Sequence, residues 1–410
     1  MSIAAVPAYL GKDFSSASPG MRFGMYLAAW EGAGWAKTKN QPLAGAKRLT
    51  DNDQKTMHAL HMRQQQLFGA IPRTEGLCLD AKSIAPFTTG LGNEHPLENG
   101  FAFLNPYGLP YLPGSGVKGV LRQAARELAS GDWGDAHGWS AEARFPLLEG
   151  PAERRKPVCD KNQQPILLTQ TDILFGRETP AGDSEHLRGV LSFWDVIPRL
   201  QGDSLAVEIM TPHQNHYYQQ KSDRKTGDST SPHESGQPIP IPFLTVPPGS
   251  RFTFCVVCDL PRLRRLAPEL AQDDRWKTML TAAFEHAFEW LGFGAKTAVG
   301  YGAMQSPTQR QQREHERAQR EAEAKERARQ AIEQAQQEQA EPWEGARLKF
   351  NSKNGALTTE KNGKSAIAIA PRGKELFDAL PAELRSRMAS GKPVQVTAYV
   401  HGHTLVRIEP

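Results

Sequence analysis

Residues 109–122 read LPYLPGSGVKGVLR. An apolar run breaks at Pro113 and Gly114, passes Ser115 and Gly116, and turns into a helical pattern. Val117, Val120, Leu121, Ala124 and Leu128 recur at the spacing of one helix face. Lys118, Arg122 and Arg126 fall four apart beside that face and align three cations along one stripe. Ser115 is placed to cap the helix. A helix N-terminus that follows a glycine offers free N–H groups to an anion, and a basic stripe extends such a site along a polyanion. The same letters also describe a surface helix with solubilising charges. The stretch has no acid, base or metal ligand of its own, so it suits holding a phosphate better than cutting one.

A second glycine-rich stretch, GFGAKTAVGYG, occupies residues 292–302. It invites a nucleotide reading, but a phosphate-binding P-loop needs glycine before its lysine and runs strand to helix. Here Ala295 precedes Lys296, and the chain runs from a helical pattern into a strand. Gly292, Gly294, Gly300 and Gly302 would let backbone approach a nucleic-acid strand, with Lys296 facing phosphate and Tyr301 free to stack. The alternative is a tight helix end followed by a glycine-marked edge strand.

Outward from these turns the periodicities alternate. DNDQKTMHALHMRQQQLFGAI, from Asp51, is helical after an Asp/Asn cap, and EGLCLDAKSIAPFTT, from Glu75, alternates as a strand. SRFTFCVVCDL is a strand from Ser250, and Trp276, Leu280, Phe284, Phe288 and Leu291 then recur at helical spacing. Two patterns of strand, glycine turn and helix suggest two ferredoxin-like βαββαβ halves, an α+β fold. Between about 151 and 248 the chain is rich in Pro, Gly, His and Gln, with short strands such as GVLSFWDVIP and LAVEIMTP. Insertions of that length reach out from a core to touch something.

Residues 307–341 hold seven Lys/Arg and eight Asp/Glu, and Ile332 is the sole aliphatic side chain there larger than alanine. A helix without an apolar stripe is a solvated spacer, laced by i,i+4 pairs such as Glu316 with Arg320. Residues 342–410 carry eleven Lys/Arg against six Asp/Glu, a surplus of five that exceeds the net charge of +4 for the whole 410-residue chain. Their pattern is strand-rich with one helix, KELFDALPAELRSRM, and fits a small β-barrel of the oligonucleotide-binding or Sm-like kind. That unit binds RNA, or it docks another protein, or it aids solubility. The expected organisation is a helical or irregular extension at 1–75, a core at 76–306 with its insertion at about 150–248, a charged helical linker at 307–341, and a small basic β-rich domain at 342–410.

Four cysteines are too few for a disulfide scaffold, and MSIAAVPAYLGKDF has no signal-peptide pattern, so a reducing cytoplasm is expected. No run of about 20 apolar residues predicts a membrane span. Cys255 and Cys258 form C-V-V-C, but three residues apart on a strand they point to opposite faces, which reads as buried thiols rather than a zinc or redox pair. His213 and His216, with Tyr217 and Tyr218, form a polar aromatic loop that packs against RNA or a neighbouring subunit. They are also the candidates for a metal pair, or for the acid and base of an RNA-cleaving site, though no third ligand or nucleophile accompanies them. Asp80, Asp172 and Asp195 end or flank strands and read as turn formers.

Taken in order, TTGLGNEHPLENGFAFLNPYGLPYLPGSGVKGVLRQAARE, ILFGRE, GVLSFWDVIP and GFGAKTAVGYGAM resemble the repeat-associated mysterious proteins, or RAMPs, of type III CRISPR effectors. Within them the resemblance is to the sixth RAMP subunit of type III-B, or Cmr, complexes, over roughly residues 55–304. The P-G-S-x-x-K-G-x-x-R turn and the G-x-G-A-K-T-x-x-G-Y-G loop carry it. Gly116 departs from the pattern, which has a second serine there, and the segment after residue 306 lies outside it. The resemblance implies an RRM-derived ferredoxin-like core in a multisubunit ribonucleoprotein, bound to crRNA near its 3′ end, with target RNA and other Cmr-type RAMP subunits as further partners. It implies no cofactor, no small-molecule substrate and no catalysis by this subunit. The implied guide contacts are Ser115, Lys118 and Arg122 in the first turn, joined by Arg126 on the basic stripe, and Gly294, Lys296, Thr297 and Tyr301 in the second. The competing readings are a RAMP endoribonuclease working through His213, His216 or Tyr217, and a scaffold that recruits a protein through its C-terminal domain.

Overall fold

The structure is a computed structural model that describes residues 3–31, 36–37, 41–150, 154–160, 162–178, 186–212 and 240–410. It is a mixed α+β chain in two compact units, residues 1–311 and 312–410. Among the described residues no helix is long and apolar enough to cross a membrane.

In the first unit, after short N-terminal elements, comes α1 (Asp51–Gly69), whose cap is Thr50 rather than an Asp or Asn. Thr50 Oγ1 accepts from the Asp53 N–H while the Asp53 carboxylate accepts from the Thr50 N–H, a reciprocal capping box. Then follow β1 (Gly76–Ser83), α2 (Gly114–Ser130), β2 (Leu191–Phe193), β3 (Arg251–Cys258), α3 (Arg275–His286) and β4 (Met304–Gln305). The four strands form one antiparallel sheet in the order β2-β3-β1-β4. Both strand-and-helix patterns therefore belong to a single βαββαβ sheet, not to two halves. The two long central strands can be read from sequence; the edge strands have two or three residues each and cannot.

On β3, Phe252, Phe254 and Val256 are buried on the helix side, while Arg251 and Thr253 face the other way. The helix side is filled by aromatic rings. Phe254 lies 5.3 Å from Phe284, 5.5 Å from Phe288 and 5.0 Å from Phe293 between ring centres. From α2 come Val117, Leu121, Ala124, Ala125 and Leu128, all buried as the periodicity requires. His286 Nε2 and Glu127 Oε2, 2.7 Å apart, tie α3 to α2. Within the insertion, Ala206–Met210 pairs with Ile241–Thr245 as an antiparallel ribbon.

Helix α4 (Pro307–Glu338) starts from a second capping box, between Ser306 and Gln309, and Ser306 Oγ also donates to Glu285 Oε2 at 3.0 Å. Every described side chain from 310 to 339 is exposed. Its i,i+4 ion pairs include Arg317–Glu321 and Arg327–Glu323; Glu316 accepts from Gln312 instead of Arg320.

The second unit is a closed five-stranded barrel. Strands β5 (Glu341–Asn351), β6 (Ala356–Lys361), β7 (Lys364–Ala368), β8 (Val394–His401) and β9 (Thr404–Glu409) run in the order β5-β6-β7-β9-β8, with β7 parallel to β9. Leu348, Leu357, Val396, Ala398 and Leu405 fill it. The single helix expected there is two, α5 (Arg372–Asp378) and α6 (Ala382–Ala389), because Pro381 supplies no N–H to continue the first.

Two histidines of the first unit give it a pH-dependent stability. His61 of α1 is 4% exposed, its Nε2 has no partner among the described residues, and burial, reinforced by Arg199, pushes its pKa below the usual 6.5. His95 stacks on Phe23, donates from Nε2 to the Phe23 carbonyl and accepts at Nδ1 from the Leu97 N–H; burial lowers its pKa also. Both fold as neutral rings. Their contribution is complete above pH 6.5 and is lost as pH falls through the depressed folded values. The urea midpoint is expected to fall from about pH 7.5 to about pH 5, and His61→Gln with His95→Gln to flatten that fall. Equal slopes in variant and parent contradict the assignment.

Candidate nucleic-acid interface

The turn before α2 is built by packing. A Cβ on Gly114 would meet the Phe193 carbonyl oxygen at 2.2 Å, so only glycine lets the helix start against the end of β2. Pro113 is the N-cap and gives no side-chain hydrogen bond; Ser115 is exposed in the first turn and is not the cap. The Gly114 N–H donates to Asp195 Oδ1 at 2.7 Å. A carboxylate from the chain itself thus sits at the helix N-terminus, where the sequence suggests a phosphate. Asp195 thus serves a helix N-terminus rather than a turn. Gly116 is exposed, and a Cβ added there would meet only Leu112 Cδ1, at 3.4 Å, so the family's serine would fit.

The cationic stripe splits. Arg122 Nη1 pairs with Glu178 Oε1 at 2.8 Å and its Nη2 donates to the Gly176 carbonyl at 2.9 Å; Arg126 Nη2 takes the other carboxylate oxygen of Glu178 at 2.8 Å. The Arg122 side chain is 13% exposed, so it pins residues 176–178 to α2 rather than reaching solvent. Arg126 and Arg122 together hold the Glu178 carboxyl below its usual range. Lys118, half-buried, has no hydrogen-bond or ion-pair partner among the described residues.

The second loop folds on itself. Gly292, Gly294, Gly300 and Gly302 all have positive φ, and so does Lys296 at 59°. A Cβ on Gly294 would meet the Thr88 carbonyl at 2.2 Å, and one on Gly302 the Phe293 carbonyl at 1.8 Å. At those two positions the close approach that glycine allows is to the protein's own backbone, not to a ligand; Gly300 alone has open space around it. Lys296 Nζ lies 2.7 Å from Met210 Sδ and 5.6 Å from the Phe243 ring centre. Tyr301, half-buried, packs its ring 5.8 Å from the same Phe243, and burial raises its hydroxyl pKa, with Glu208 adding to the effect. Thr297 is half-buried and opens the single turn Thr297–Val299.

Sequence reasoning missed Met210 and Phe243, which the insertion's ribbon brings under this loop. The signal was present in IPFLT, a strand-like run between prolines. The two turns lie at opposite edges of the sheet, one against β2 and one leading into β4.

The remaining candidates separate cleanly. His213, His216 and Tyr217 lie outside the described residues. Asp172 belongs to a capping box with Thr169, and Asp80 sits within β1, accepting from Thr253 Oγ1 at 2.6 Å, rather than in a turn. Cys255 faces Cys78 across the sheet, Sγ to Sγ 3.7 Å; their mutual hydrogen bond and burial push the Cys255 thiol pKa up, and the same hydrogen bond holds that of Cys78 down. Burial pushes Cys258 up to about 12. Among the described residues no three His, Cys, Asp or Glu side chains converge as a metal site.

The chain is 27% identical over 252 residues to the CRISPR system Cmr subunit Cmr6 of Pyrococcus furiosus, covering 54% of this chain and 66%, just under two thirds, of that protein. Among solved structures it is similar to the crystal structure of Cmr6 from P. furiosus, at 24% identity over 58% of this chain and 99% of that one, with a TM-score of 0.28. It is also similar to a chain of the type III-B Cmr-beta complex bound to cognate target RNA, at 16% identity over 65% and 67% of the two chains, with a TM-score of 0.38. The model of the RAMP superfamily matches residues 80–305, more than half of the chain and both glycine turns with it, and the protein belongs to that superfamily.

Proposed function

We propose that this chain is a non-catalytic RNA-binding subunit of a cytoplasmic type III-B effector, holding crRNA by its sugar–phosphate backbone and capping the subunit filament near the guide's 3′ end. Its neighbours are other Cmr-type RAMP subunits, and target RNA lies within reach of the same assembly. The core is read as ferredoxin-like, since its strand order is that of the RRM-type sheet. The barrel is read as the oligonucleotide-binding type, since its helices fall between the third and fourth strands.

One observation carries the RNA assignment. Lys118 and Lys296, one in each glycine turn, are both half-buried and neither has a carboxylate partner among the described residues. A lysine kept close to the surface with only a thioether and an aromatic ring for company, or with nothing, is an unneutralised charge available to phosphate. Arg126 joins them once a phosphate competes with Glu178; Arg122, Gly294 and Tyr301 shape the turns, and Ser115 and Thr297 present hydroxyls beside them. Binding without cutting agrees with the chemistry nearby. His95, the histidine nearest the first turn in sequence, has both ring nitrogens engaged by backbone groups.

In a reconstituted complex, Lys118→Ala with Lys296→Ala is expected to weaken guide binding about tenfold or more and to reduce the salt-dependence slope by about 1.4, roughly 0.7 per lost phosphate contact on a single strand. Undiminished occupancy with an unchanged slope contradicts the assignment.

A further inference from the structure

The face of the sheet turned away from α2 and α3 carries a row of cations that no glycine turn accounts for. Lys82 stands directly opposite Arg251 in the β1–β3 register, and Arg199 bridges to Arg251 on its other side. Gln305 of β4 stands opposite Lys82. Residues directly opposite each other share a face, and neighbouring strands lie about 4.8 Å apart. Arg199, Arg251, Lys82 and Gln305 therefore form one row across four chain segments, and all four line a single depression together with Thr253 and Arg310.

Like charges placed opposite one another across strands destabilise a sheet. Lys82, Arg199 and Arg251 nevertheless have no ion-pair partner among the described residues, and the one carboxylate that lines the depression, Asp80, is engaged by Thr253. Arg199 also lines an adjoining hollow that holds His61, whose buried Nε2 is unpartnered among the described residues. This surface therefore presents uncompensated positive charge.

We infer that the row Arg199–Arg251–Lys82 is a second RNA-backbone site, separate from the glycine turns, holding consecutive phosphates of a single strand. The inference rests on the RNA-binding reading above. Arginine forks match phosphate oxygens two at a time, and Thr253 and Gln305 are placed to hydrogen-bond ribose hydroxyls. A protein partner would need apolar anchors, but the lining offers only Ala81 and Pro307. It holds no aromatic ring, so this site grips backbone without stacking bases.

The test is anisotropy of a labelled single-stranded RNA with the full-length protein, titrated across salt concentrations. Lys82→Ala, Arg199→Ala and Arg251→Ala together are expected to weaken binding about tenfold or more and lower the slope by about 2, roughly 0.7 per contact. These losses add to those of Lys118→Ala with Lys296→Ala. Arg199→Lys with Arg251→Lys keeps the charge and is expected to keep the slope, which guards against a folding defect in the alanine variant. Wild-type affinity and slope in the alanine variant, with binding weakened in the glycine-turn variant, overturns the sheet site and leaves the proposed function standing. A variant that loses a co-purifying neighbouring subunit at an unchanged RNA slope assigns the face to protein and overturns the site equally. Failure of the unmodified protein to bind RNA overturns both readings.

Discussion

Phe254→Ala is expected to destabilise the chain by about 3–5 kcal/mol, read as a shift in the urea midpoint at constant slope. Phe254 is 1% exposed and touches three further rings, Phe284 and Phe288 from the α3 region and Phe293 from the glycine loop. Truncation removes the side chain's transfer free energy and leaves a cavity among rings whose backbones belong to a strand, a helix and a loop, which cannot all close in. Val299→Ala, at a side chain 71% exposed, is the control and should change stability by no more than about 0.5 kcal/mol. A loss under about 1 kcal/mol for Phe254→Ala would mean that this aromatic cluster is not the core.

The second large effect belongs to Gly302→Ala. Gly302 has φ of 72°, donates its N–H to the Pro86 carbonyl and accepts from the Phe293 N–H. An alanine Cβ would lie 1.8 Å from the Phe293 carbonyl oxygen and 2.9 Å from its nitrogen. Relieving that clash moves Phe293, which is fully buried against Phe254, so the loop and the core fail together. Gly300→Ala separates the causes, since Gly300 has φ of 90° but nothing within 4 Å of the added carbon. Its cost is the left-handed backbone alone, about 1–2 kcal/mol. Gly302→Ala should exceed it by at least about 2 kcal/mol, the range of strongly overpacked sites. Equal costs would mean that the loop's closure on Phe293 is wrong.

Much of the fold was legible because it rests on local periodicity. Apolar spacing marks α2 and α3, alternation marks β1, and the apolar run FTFCVVC marks β3, whose Phe252, Phe254 and Val256 face the aromatic layer. The partners of the candidate site were not legible. Asp195 and Glu178, which engage Gly114, Arg122 and Arg126, come from distant segments, and nothing in LPYLPGSGVKGVLR signals that Arg122 is already spoken for, nor in the residues after it that Arg126 is. The glycines of 292–302 announce a close approach but not to what; register and loop closure show it to be Thr88 and Phe293. The row of Arg199, Arg251 and Lys82 exists only once strands far apart in sequence are aligned. In the barrel, the break at Pro381 was readable from proline's missing N–H, and the parallel pairing of β7 with β9 was not.

The proposed grip on guide RNA through the two glycine turns has a positional signature. Its most direct test is photocrosslinking of a reconstituted complex loaded with guide carrying 4-thiouridine at single positions, followed by mapping of the linked peptides. The grip predicts crosslinks from the 3′ part of the guide to peptides containing residues 114–126 and 292–302. Crosslinks absent from both peptides, in a complex whose other subunits do crosslink, would contradict it.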